Sequence, residues 1–101
     1  MMELTAYQDK LDAICEAVGV KRLDLFGSAA RNDFGEASDV DVVVEFFEED
    51  TFGSLFDRYF KLKEDLELLF ERDVDVVMEE AIKNPIFREG VNRARVLIYA
   101  A

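Results

Sequence analysis

Apolar and polar residues alternate in this chain with two periods, and the two periods predict different elements. Apolar residues at every second position indicate strands, because successive strand side chains lie on opposite faces of a sheet. The strongest such stretch is 39–47, where Val40, Val42 and Val44 share one face with Phe46. Strands are predicted over 20–26, 39–47, 73–78 and 94–100.

Helical spacing, with apolar residues every three to four positions, predicts the elements between these strands. A helix over 5–18 is expected to start with a capping box of Thr5 and Gln8 and to stop at Gly19. A second helix is expected to begin at Thr51 and to continue to about Phe70. We predict that its apolar stripe is core, and the size of the stripe leaves open that part of it faces a partner. The stripe consists of Phe52, Leu55, Phe56, Tyr59, Leu62, Leu66, Leu69 and Phe70.

The segment 79–92 is predicted to be helical around the single proline of the chain. Pro85 either breaks this helix or lies in the first turn of a second short helix. The resulting order is helix, strand, turn, strand, helix, strand, helix, strand. It predicts an α/β (α+β) fold, a small mixed sheet with helices packed on it, formed by a single domain over 1–101.

The residue types that are missing or rare in this chain exclude several kinds of catalytic and metal site. The chain has 101 residues, no histidine and one cysteine. A Ser-His-Asp triad, imidazole acid–base catalysis, a disulfide within the chain and a Cys/His metal site are therefore excluded. Cys15 lies on the apolar face of the first predicted helix, so we interpret it as core.

Charge bears on partners, because acidic residues outnumber basic ones by 23 to 12 and give a formal net charge of −11. The basic residues are thinly spread along the chain, so long nucleic acid is not expected as a partner, whereas cations or a basic protein are. No signal peptide and no apolar run of membrane-spanning length is visible. We expect a soluble cytoplasmic protein.

The candidate chemistry lies between Gly27 and Asp41. Gly27 and Ser28 end a strand before a short turn predicted at 28–32, where backbone N–H groups could bind a phosphate, and Arg31 could pair with that phosphate. Asp39 and Asp41 are two positions apart on a strand, so both carboxylates share one face and repel each other unless a divalent cation lies between them. The alternative is an ordinary solvated strand face.

A third carboxylate is available on another predicted strand. Asp73 and Asp75 are again two positions apart, and we prefer Asp75 because it lies between Val74 and Val76. Asp73 stands beside Arg72 at the strand edge and is interpreted as a solvated charge. Three such carboxylates and a phosphate loop are what a metal-dependent nucleotide site requires.

The spacing Gly27-Ser28-x-x-Arg31, then seven residues, then Asp39-x-Asp41 resembles the signature of the DNA polymerase beta-type nucleotidyltransferase superfamily. The short chain, Ser38 next to Asp39 and the late Asp75 resemble its minimal nucleotidyltransferase branch. The likeness extends over nearly the whole chain. One departure is Asn32, at a position where the family often has glycine; asparagine tolerates left-handed backbone angles, so we expect the turn to be kept.

This resemblance implies roles for the quoted residues. Gly27, Ser28, Arg31 and Ser38 would bind the nucleotide, and Asp39, Asp41 and Asp75 would be catalytic and hold Mg²⁺, in a site for two ions. ATP would be the substrate, and AMP would pass to a hydroxyl of a partner protein. The family implies that this partner is a HEPN toxin, which the chain would neutralise as an antitoxin in a toxin–antitoxin system.

Two other functions remain open from the sequence. One is a non-catalytic antitoxin that blocks its partner by binding alone. The other is a nucleotidyltransferase for a small cationic molecule such as an aminoglycoside, which would need a homo-oligomer to complete its pocket. Exposed parts of the 51–70 helix could support such an oligomer. The acceptor, the base and the number of nucleotides transferred are not readable from the residues.

Overall fold

A computed structural model of the chain describes residues 5–27, 39–48 and 50–101. The helices are α1 (Gln8–Ala17), α2 (Leu55–Phe70) and α3 (Pro85–Ala94). The strands are β1 (Val20–Phe26), β2 (Val40–Phe46), β3 (Val74–Met78) and β4 (Val96–Ala100). The predicted α/β class and the predicted order of helices and strands are confirmed. The turn predicted at 28–32 and the loop predicted at 32–38 lie outside the described residues.

The four strands form one mixed sheet in the order β3-β2-β1-β4. β1 is antiparallel to β2 and to β4, whereas β2 and β3 are parallel and are connected through α2. Cross-strand partners include Leu25 with Val42 and Val42 with Val76. These side chains lie on the first face of the sheet, and the alternating residues lie on the second face.

The first face carries the main core, because α1 and α2 both pack on it. Cys15 of α1 is fully buried there, as predicted. The cluster is formed by Leu11, Cys15, Val18, Val20, Leu23, Leu25, Val40, Val42, Val44, Phe46, Leu62, Leu66, Phe70, Val74, Val76 and Ile98. Within the described ranges, no helix is both long enough and apolar enough to span a bilayer.

The N-terminal half of α2 differs from its prediction. The helix begins at Leu55, not Thr51, because the Ser54 hydroxyl accepts a hydrogen bond from Asp57 N at 3.1 Å and caps it. A separate 3-10 turn covers Asp50–Phe52. Leu55 and Phe56, predicted as part of a mainly buried stripe, are instead 46% and 71% exposed.

A buried arginine takes an inward-facing position in this half of the helix. Arg58 precedes Leu62 by one turn and is only 5% exposed. Its guanidinium donates hydrogen bonds to the carbonyls of Val18 (2.8 Å), Gly19 (3.0 Å) and Phe47 (2.9 Å). These carbonyls end α1 and β2, so Arg58 joins three elements. The apolar pattern could not reveal this inward-facing charge.

The predicted ends of the other two helices agree with the structure only in part. The predicted start of the first helix is three residues early, because a 3-10 turn covers Thr5–Tyr7 and α1 begins at Gln8. The Gln8 side-chain amide donates to Asp12 Oδ1 at 2.8 Å and to Ile98 O at 3.1 Å, and the capping box of Thr5 and Gln8 stays a prediction. Gly19 has a φ of +69° just after α1, as expected of a helix stop. Pro85 opens α3, which confirms the second of its two predicted positions.

Candidate active site

Asp41 and Asp75 are neighbours on the second face of the sheet. They are register partners on the parallel strands β2 and β3. Parallel partners at the same register place their side chains on the same face, so the two carboxylates lie side by side. Asp39 is exposed and comes directly before β2. The backbone N–H of Val40 donates to Asp73 O at 2.9 Å, so the starts of the two strands are held together.

Gly27 packs against one of these carboxylates. It follows β1, whose last residue Phe26 is the register partner of Asp41. Its φ is +69°, and a Cβ on its backbone would lie 2.4 Å from Asp41 Oδ2. Two separate constraints therefore require glycine here: the left-handed backbone and the closeness of the Asp41 carboxylate.

The strand that carries Asp75 is fixed along its outer edge by side chains of α2. The Tyr59 hydroxyl donates to Val76 O at 3.0 Å, and the Glu67 carboxylate accepts from Val74 N at 3.0 Å. Lys63 donates to Val74 O as well. The N–H of Val74, and then Lys63, lower the pKa of Glu67. Both residues that flank Asp75 are thus held, and the edge of β3 is closed to another strand.

An ion-pair network that the sequence reading missed joins the second face to α3. Asp24 of β1 is fully buried and forms ion pairs with Arg22 and Arg95. Arg95 also donates to Glu79 Oε2 at 2.7 Å, and Glu79 pairs with Arg88 of α3. The hydrogen bond from Arg95 lowers the pKa of Glu79, a shift that burial opposes and Arg88 reinforces.

No alternation or motif could have shown this network, since its members come from four separate segments. The one visible signal was Asp24 itself, a charge between the apolar residues Leu23 and Leu25. The second face also carries a small apolar cluster of Val43, Ile82 and Val91, against which Phe26 and Val77 pack.

The donor set fits a metal ion only together with a substrate. Within residues 5–27, 39–48 and 50–101, no three Asp, Glu or Cys side chains are arranged to hold an ion. Mg²⁺ in nucleotide enzymes is commonly held by one or two carboxylates plus substrate phosphates, so the Asp41–Asp75 pair fits an ion that a triphosphate completes. Ser28, Arg31 and Ser38 lie outside the described residues, and the roles of all the predicted site residues stay predictions.

Comparison with known proteins identifies close relatives. A family described as the nucleotidyltransferase domain matches residues 9–98. The protein adenylyltransferase MntA of Thermococcus cleftensis is 39% identical over 83 residues, which cover 82% of this chain and 77% of that protein. A Methanocaldococcus jannaschii protein, provisionally named a protein adenylyltransferase, is 35% identical over 83 residues, covering 82% and 81% of the two chains.

Solved structures share the fold. One described provisionally as a minimal nucleotidyltransferase superposes with a TM-score of 0.72 at 34% identity, covering 94% of this chain and 95% of the other. A chain from the complex of tri-AMPylated Shewanella oneidensis HEPN toxin with MNT antitoxin gives a TM-score of 0.63 at 16% identity, covering 98% and 74%. At that identity the second likeness concerns the fold alone.

Proposed function

This chain belongs to the nucleotidyltransferase domain family, and we propose that it transfers AMP from ATP to a hydroxyl group on a HEPN-type toxin, as that toxin's antitoxin. The relatives that cover most of the chain are named protein adenylyltransferases, and their identities are 35% and 39%. One structure with the same fold contains an AMPylated HEPN toxin and an MNT antitoxin. These names supply the acceptor class.

One observation carries the catalytic part of the proposal. Asp41 and Asp75 are adjacent in register on one face, and Gly27 lies against Asp41. This juxtaposition brings the end of the predicted phosphate loop to two carboxylates from different strands. A solvated strand face needs neither the pairing nor the close glycine.

The chemistry is an in-line substitution at phosphorus. The acceptor oxygen forms a bond to the α-phosphorus of ATP, the bond from that phosphorus to the bridging oxygen of the β-phosphate breaks, and pyrophosphate leaves. Asp75 accepts the proton of the acceptor hydroxyl, and Asp39, Asp41 and Asp75 would hold Mg²⁺ together with the triphosphate. A bound ion would neutralise charge on the phosphates. Positioning of the two reactants provides most of the remaining acceleration.

A partner protein fits the shape and charge of the chain better than a free small acceptor does. The described residues form one sheet with helices on it, and no second lobe is present among them to hold an acceptor. The net charge of −11 favours a partner with a basic surface and speeds the association of the two proteins.

The test is AMP transfer in a purified system with matched aspartate variants. The chain is incubated with ATP, Mg²⁺ and the HEPN-type protein encoded beside it, and the intact mass of each protein is measured. We expect the toxin to gain one or more AMP units. Asp75→Asn should slow transfer at least about 100-fold, as loss of a general base does. Asp73→Asn removes an exposed carboxylate two residues away and should leave transfer within about twofold.

Other outcomes separate the alternatives. A toxin that binds tightly but gains no mass would replace the enzyme with a non-catalytic antitoxin. Absence of any complex would direct the search to small cationic acceptors. If Asp73→Asn abolishes transfer and Asp75→Asn does not, the assignment of the third carboxylate is wrong.

A further inference from the structure

An exposed aromatic ring lies beside the candidate site on the second face. Phe26 directly precedes Gly27 and is the register partner of Asp41. The ring of Phe87, in α3, contacts the ring of Phe26 edge to face, with centroids 6.2 Å apart and planes at 82°. Phe87 is 45% exposed. An apolar surface is therefore available one residue pair away from the Asp41 carboxylate.

Phe87 is held in place by the first turn of α3. The side chain of Asn84 accepts hydrogen bonds from the backbone N–H groups of Ile86 (2.9 Å) and Phe87 (3.3 Å), and Pro85 pre-sets the backbone of the first helical residue. Four residues further on, Val91 is 3% exposed and belongs to the second apolar cluster. The ring thus projects from an anchored helix, which is a rigid support for a ligand.

The helix is also fixed by charge. Arg88, next to Phe87, pairs with the Glu79 carboxylate and donates to the carbonyls of Glu79 (2.9 Å) and Ile82 (3.1 Å). Since Glu79 also binds Arg95, which pairs with Asp24 of β1, the start of α3 is joined to the sheet through Arg88, the residue next to Phe87. Phe87 is partly exposed on this fixed helix, so a flat ligand on the second face has access to its ring.

We propose that Phe87 is the platform on which the nucleobase of the substrate stacks. This inference rests on the proposed function. If the triphosphate lies at Gly27 and Asp41, its base must lie within one nucleotide length of them, and Phe87 provides an aromatic surface there. An uncharged ring also accepts a base without adding to the negative charge of the chain. The stack would hold the ribose and the α-phosphorus in one orientation for transfer.

The experiment measures nucleotide binding without catalysis. Affinities for α,β-methylene-ATP and for inorganic tripolyphosphate, both with Mg²⁺, are measured by calorimetry for wild type, Phe87→Ala, Phe87→Trp and Phe56→Ala. Loss of one base stack corresponds to about 5- to 150-fold weaker binding. We expect Phe87→Ala to weaken the binding of α,β-methylene-ATP by this factor and the binding of tripolyphosphate by less than about twofold. Phe87→Trp should bind both ligands as tightly as wild type does.

Phe56 is the matched control, because it is an exposed phenylalanine on α2, which packs on the opposite face of the sheet. Phe56→Ala should change neither affinity. The platform is overturned if Phe87→Ala leaves α,β-methylene-ATP binding unchanged, or if it weakens both ligands equally, which would indicate general damage to the site. Wild type that binds neither ligand overturns the platform together with the proposed function. Wild type that binds through Phe87 but transfers no AMP overturns the proposed function alone.

Discussion

At the residue scale, the contact between Gly27 and Asp41 is the most informative feature of the site. Glycine at a strand end is common, and its backbone freedom alone says little about function. Here the Asp41 carboxylate occupies the space that a side chain would need, with Oδ2 only 2.4 Å from the position of a Cβ. The residue predicted to approach a phosphate therefore also fixes where a predicted metal ligand can lie.

Replacing this glycine should affect transfer far more than stability. Gly27→Ala forces an L side chain into a left-handed backbone, which costs about 1–2 kcal/mol, and pushes the carboxylate aside. A displacement near 1 Å can slow a reaction about 100-fold. Gly53→Ala is the control, because Gly53 has a φ of +95° but nothing within 4 Å of its Cβ position. Urea unfolding and AMP transfer are measured for both variants. Equal loss of transfer in both would contradict the role given to the contact.

The sequence predicts Gly27 as a site residue but cannot predict its contact with Asp41. The sequence predicts Gly27, Asp41 and Asp75 as site residues, because glycine at a strand end and carboxylates within apolar strands are visible in the pattern. Their proximity depends on β2 and β3 being parallel neighbours in register, which alternation does not encode. A side-chain pairing across 34 positions becomes visible only once the sheet is formed.

At the scale of elements, α3 is joined to the sheet largely by charged groups. Its apolar contribution to the second cluster is small, with Val91 as its buried residue. Glu79 compensates for this, since it binds Arg95, which pairs with the buried Asp24, and Arg88 on α3 itself. Hydrogen bonds between charged groups with partial burial each contribute about 1.5–3 kcal/mol.

The same network makes stability depend on pH. The pKa of Glu79 is lower in the folded chain than its unfolded value near 4.3, so its contribution is complete above that value and is lost as the pH falls through the folded pKa. Glu79→Gln should cost about 2 kcal/mol at pH 7. The deficit should shrink as the pH drops below about 4. Urea unfolding at several pH values measures it, and a deficit that does not change with pH would exclude the network. The exposed neighbour variant Glu80→Gln should stay within about 0.5 kcal/mol of wild type.

The apolar pattern of the sequence predicts where the strands and helices lie better than it predicts where they begin and end. The strands predicted at 39–47 and 73–78 differ from β2 and β3 by one or two residues at most. The predicted start of α2 is four residues early, because Thr51 and Ser54 both suit a cap and only the geometry selects Ser54. The inward position of Arg58 was missed because a lone charge on an apolar stripe normally lies at its margin.

At the scale of the whole molecule, the first face holds the core that must open for the chain to unfold. Cys15 is the single cysteine of the chain and lies in that core, fully buried between α1, α2 and the sheet. Burial, together with the charges of Asp12 and Glu16, raises the pKa of its thiol to about 12. The native thiol is therefore both covered and protonated at neutral pH, which makes it unreactive.

Thiol labelling should therefore report the opening of the whole core. With a disulfide reagent at pH 8, native Cys15 should react at least about a thousandfold more slowly than in urea, because unfolding free energies generally exceed about 5 kcal/mol. The control is Ala13→Cys in a Cys15→Ala background, since Ala13 is exposed on the same helix and its thiol should react at nearly the unfolded rate. Labelling rates across urea concentrations should follow the global unfolding transition. Fast labelling of Cys15 without urea would show instead that α1 detaches from the sheet on its own. The stability of α1 would then be independent of the stability of the sheet face that carries Asp41 and Asp75.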